Sequence, residues 1–68
     1  MSGEQVHIYS AGTLYLAELI RQMLMNHDIP SFIINKKDSV YKVGDIELYV
    51  NRDQVIRAKK LISEFESQ

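Results

Sequence analysis

Apolar and polar residues change their spacing four times along this chain. Gln5 to Ser10 alternates, with Val6 and Ile8 set between His7 and Tyr9. A period of two is that of a strand with one covered face. Ala11-Gly12-Thr13 interrupts it. Gly12 permits a turn, and Thr13 or Ser10 can cap a helix beginning at Leu14. From Leu14 to about Asn26 the period becomes helical, because Leu16, Leu19, Ile20, Met23 and Leu24 fall at i, i+3, i+4, i+7 and i+8. Glu18 and Arg21 on the other side make a favourable i, i+3 pair. Pro30 drives Ile29 out of helical angles, so this helix ends near Asn26-His27-Asp28, with Asn26 the expected left-handed residue.

Ser31-Phe32-Ile33-Ile34-Asn35 reads as a second strand and Ile46-Glu47-Leu48-Tyr49-Val50 as a third. Residues 36–45 connect them, with Gly44-Asp45 as turn chemistry. Asn51 is the expected N-cap of a second helix, with Gln54 completing a capping box. Val55, Ala58, Leu61, Ile62 and Phe65 carry that helix from about Arg52 to Phe65.

The order is β-α-β-β-α. A right-handed crossover with the third strand inserted between the first two gives a sheet order of 1-3-2. The expectation is an α+β, ferredoxin-like sandwich: a three-stranded antiparallel sheet with both helices on one face. Strand one then has a free edge, and the second sheet face has no helix. If Val6, Ile8, Ile46, Leu48 and Val50 point to the helices, His7, Tyr9, Glu47 and Tyr49 point away. On strand two, either Phe32 and Ile34 or Ile33 joins that open face. His7, Tyr9, Ile33 and Tyr49 are therefore the candidate interface residues, since an exposed ring-bearing patch marks an association surface.

Length sharpens this expectation. The chain has 68 residues and no Cys, so it forms one domain, 1–68, with a thin core and no disulfide or thiolate metal site to reinforce it. Self-association is the remaining aid, and a homodimer or a protein partner is expected. No apolar run is long enough to span a membrane. Met1-Ser2-Gly3-Glu4 has neither the basic nor the apolar region of a signal peptide, so a cytoplasmic protein is expected.

The net charge is −1, but residues 36–60 carry seven basic and four acidic groups. The most unusual stretch there runs from Asn35 to Lys42. Asn35, Lys36, Lys37, Asp38, Ser39, Tyr41 and Lys42 suit an anionic or nucleotide-like ligand by charge-assisted hydrogen bonds and stacking. A plain solvated turn built on Asp38-Ser39 accounts for the same residues. Single-stranded nucleic acid on the open face is a third reading, disfavoured by the net charge. Catalysis is not expected. His7 and His27 lie on different elements, the carboxylates are scattered, and the three glycines form no phosphate-binding pattern. No cofactor or metal is implied.

As a set, Ala17-Glu18 with its following apolar stripe, Ile29-Pro30, Ile46 to Val50, and the Val55, Ala58, Leu61-Ile62 spacing resemble a small bacterial family. These are the putative prokaryotic signal-transducing proteins, a family of unknown function grouped with PII-like proteins. The resemblance runs from about Val6 to Phe65, and the stretch from Asn35 to Tyr41 looks like a loop of one branch. It implies a non-enzymatic regulatory or adaptor domain. Members typically carry Gly before Ile-Pro, where this chain has Asp28.

Overall fold

The computed structural model of the chain describes residues 4–35 and 46–67. Strand β1 (Gln5–Ala11) leads into helix α1 (Leu14–Asn26), strand β2 (Ser31–Asn35), strand β3 (Ile46–Asn51) and helix α2 (Val55–Glu66), the last entered through one 3-10 turn at Arg52–Gln54. The sheet is antiparallel in the order β1-β3-β2. The α+β fold expected from the sequence is the fold observed.

Thr13 caps α1, its side chain accepting the Leu16 N–H at 3.1 Å. The buried stripe of α1 is Ala17, Ile20 and Leu24. Leu16 and Met23 flank it, whereas Leu19, expected in the stripe, is exposed. The other end of α1 closes in a Schellman motif. The Ile29 N–H donates to the Leu24 carbonyl at 2.9 Å, and the Asp28 N–H to the Met25 carbonyl at 2.9 Å. The left-handed residue is Asp28, with φ 64°, and not Asn26. Ile29 and Leu24, which bracket the motif, are both fully buried, the apolar contact that usually accompanies this turn.

The expected capping box at Asn51 and Gln54 is not made. Asn51 still belongs to the sheet, and its Oδ1 accepts from Gln5 Nε2 at 2.9 Å. The Arg52 N–H extends the ladder by donating to the Glu4 carbonyl. With that donor already satisfied, the helix entry tightens into a 3-10 turn, and Gln54 accepts from Arg57 instead.

Ile46, Leu48 and Val50 of β3 point to the helices and are buried with Ala11, Ile29, Ala58, Ile62 and the α1 stripe. Burying one such aliphatic side chain contributes about 1.5–3 kcal/mol. Helix α1 packs mainly over β2 and β3, and α2 over β1 and β3. Both therefore lie on one face, and among the described residues the opposite face carries no helix.

Candidate functional site

Strand pairing decides which side chains reach the open face. Opposed residues of a sheet share a face. Val6, Val50 and Ser31 are opposed, as are Tyr9, Leu48 and Ile33, then Ala11, Ile46 and Asn35. Leu48, Val50 and Ile46 are core residues, so these rows face the helices. The open face is formed by Gln5 and Asn51, then His7, Tyr49 and Phe32, then Ser10, Glu47 and Ile34.

Two expectations from the sequence change here. Simple alternation places Tyr9 beside His7 on the open face. A β-bulge between His7 and Tyr9 leaves Ile8 without a partner across the ladder, so Tyr9 falls opposite Leu48. An extra residue inverts every facing beyond it. Tyr9 packs against the core instead, and its hydroxyl reaches Glu66 at the end of α2. Ile33, the second displaced candidate, pairs with Leu48 and packs against the same core. Phe32 and Ile34 take the open-face positions, 46% and 44% exposed. No residue type marks the bulge; it shows only in the pairing, where Val6 and Ala11, five positions apart, both turn inward.

The surviving candidates, His7 and Tyr49, meet at the centre of the face. Their rings contact edge to face with centroids 5.6 Å apart. His7 Nε2 lies 2.8 Å from Ser10 Oγ, and the Tyr49 hydroxyl donates to Glu47 Oε1 at 2.7 Å. The face is thus graded across its three strands. Polar His7 and Ser10 lie on β1, a ring with an anchored hydroxyl lies on β3, and two exposed apolar side chains lie on β2. This arrangement suits recognition of an amphipathic surface, with aromatic contact area and few rotatable bonds.

Of the anion-loop candidates, Asn35 ends β2 opposite Ile46. Lys36, Lys37, Asp38, Ser39, Tyr41 and Lys42 lie outside the described residues. A concavity of about 270 Å³ opens between the helices, lined by His27, Arg57, Lys60, Leu61 and Glu64. Its most basic group already has a structural role. Arg57 donates to the His27 carbonyl at 3.2 Å, satisfying a carbonyl at the end of α1, and to Gln54 Oε1. Among the described residues no three His, Cys, Asp or Glu side chains are placed to hold a metal ion, and no helix is long and apolar enough to cross a membrane.

Residues 6–66 match the model of a family described as putative prokaryotic signal transducing protein. No curated protein and no solved structure matches the chain.

Proposed function

The chain belongs to this family of putative prokaryotic signal transducing proteins, and from that premise we propose that it is a non-catalytic binding module whose open sheet face receives a protein partner. One observation carries the reading: Tyr49 lies between His7 and Phe32, with Ile34 beside Phe32, on a face that no helix among the described residues covers. A side chain kept only for water contact needs no ring, and clustered exposed apolar groups mark interaction surfaces.

The test is a photo-crosslinking amino acid at His7, on the open face but away from the β2 edge, in the cells that make the protein. One recurrent protein adduct is expected, abolished by Tyr49→Asp while the circular dichroism spectrum is kept. The same adducts from a crosslinker at Lys59 on the exposed side of α2 would sink the reading.

A small-anion sensor built on Lys36, Lys37, Tyr41 and Lys42 remains the second proposal, from sequence alone. Lys36→Ala/Lys37→Ala should then remove any ligand-induced rise in melting temperature across a metabolite panel.

A further inference from the structure

We propose that a second copy of this chain docks along β2 and α1, so that two sheets join into one of six strands. This surface is distinct from the centre of the open face, and the proposal stands independently of partner binding there.

The sheet has two outer edges. That of β1 is distorted by the bulge at Ile8, a device that turns an edge away from further pairing. That of β2 is regular: five residues, Ser31–Asn35, with no bulge, no charge and no Pro within the strand. An antiparallel two-fold centred on Ile33 sets Phe32 against the partner's Ile34, and Ile34 against the partner's Phe32. A two-fold interface requires such self-complementarity.

Helix α1 repeats it above the sheet. Met23 faces α2, lining a cleft with Leu61 and Phe65. On the opposite flank of the buried stripe lie Leu14, Glu18, Arg21 and Met25, at i, i+4, i+7 and i+11. Since α1 packs mainly over β2 and β3, this flank overhangs the β2 edge. Leu14 and Met25 are exposed. Between them Glu18 and Arg21 form an ion pair at 2.9 Å. An antiparallel partner helix places Leu14 against the partner's Met25 and Glu18 against the partner's Arg21. Each carboxylate then meets two guanidinium groups, and both ends of the contact are apolar. Helix α1 and strand β2 pack on each other, and the proposed axis passes near the middle of both.

Each open face, three strands about 4.8 Å apart and five residues long at about 3.3 Å each, spans roughly 240 Å². Side-by-side docking adds backbone hydrogen bonds and a helix flank. It also leaves the two open faces uncovered as one platform of roughly 480 Å².

Sedimentation equilibrium over a concentration series is the test. The wild-type mass should rise from 7.9 kDa towards twice that value. Glu18→Arg should return it to 7.9 kDa, because four cations would then meet at the axis. The exchange Glu18→Arg/Arg21→Glu should recover the doubled mass, a result that a merely local helix effect would not produce. Tyr49→Lys should leave the dimer intact, which separates this proposal from the open-face reading. A monomer at the highest soluble concentration overturns the proposal. So does a dimer indifferent to Glu18→Arg, or one dissolved by Tyr49→Lys.

Discussion

The Tyr9 hydroxyl donates to Glu66 Oε2 at 2.9 Å, tying the strand just past its bulge to the last turn of α2. The hydrogen bond to Glu66, then partial burial, then the carboxylate charge raise the Tyr9 pKa above its ordinary 10.0. A raised pKa means that folding favours the neutral phenol. This contribution is fully present below the ordinary pKa and is lost as pH rises through the folded value. Tyr9 should ionise late, with a midpoint above the ordinary 10.0, in an alkaline titration followed at the phenolate absorbance band. Tyr9→Phe should remove that late step and cost about 0.5–1 kcal/mol in urea unfolding. Amplitude lost from the ordinary phenol range instead would show that the bond does not persist in solution.

Asp28 occupies a left-handed conformation in which a Cβ is unfavourable. Asp28→Gly should therefore raise stability, by about 1 kcal/mol, with the Schellman hydrogen bonds intact. Asp28→Val should lower it, because a β-branched residue tolerates this conformation worst. Urea midpoints for both variants check the sign.

Ser31 is 7% exposed, and its hydroxyl has no hydrogen-bond partner among the described residues. An unsatisfied buried hydroxyl costs roughly 1–3 kcal/mol. Ser31→Ala removes that cost and little volume, so its melting temperature should rise. A fall would mean that the hydroxyl is satisfied in solution, for example by a buried water.

Deleting Ile8 should be tolerated. The pairs on either side of the bulge, His7 with Tyr49 and Tyr9 with Leu48, become consecutive rungs of a regular ladder without it. Nuclear Overhauser contacts between Tyr9 and Leu48 should survive the deletion. Leu48→Ala, by contrast, should cost about 2–5 kcal/mol and unfold much of the population, because Leu48 is fully buried in a small core.

The residues that declare themselves in sequence are those whose neighbours along the chain decide their environment. Thr13, Pro30 and the alternation from Ile46 to Val50 specify where elements begin, end and face, and the sheet order follows from connection handedness. The open face was only half legible for two physical reasons, and the α1 flank for a third. A bulge at Ile8 is a backbone event that leaves the pattern of residue types looking regular. Phe32, Ile33 and Ile34 are all apolar, so β2 carries no record of which face is covered. The flank of α1 that holds Leu14 and Met25 looks like leftover hydrophobicity until α2 is known to lie on the other side. At Asn51, competition decided the outcome: the side chain pairs with Gln5 across the sheet before it can cap a helix.

The position of β3 in the middle of the sheet has a kinetic consequence. Its backbone is hydrogen-bonded on both sides, to β1 and to β2, whereas each outer strand is held on one side within the sheet. Each β3 residue directs its N–H to one neighbour only, and successive residues alternate between β1 and β2. A β3 amide therefore meets solvent when the strand on its own side detaches. Deuterium exchange along β3 should then read the opening of β1 and of β2 separately, from alternate amides of a single strand.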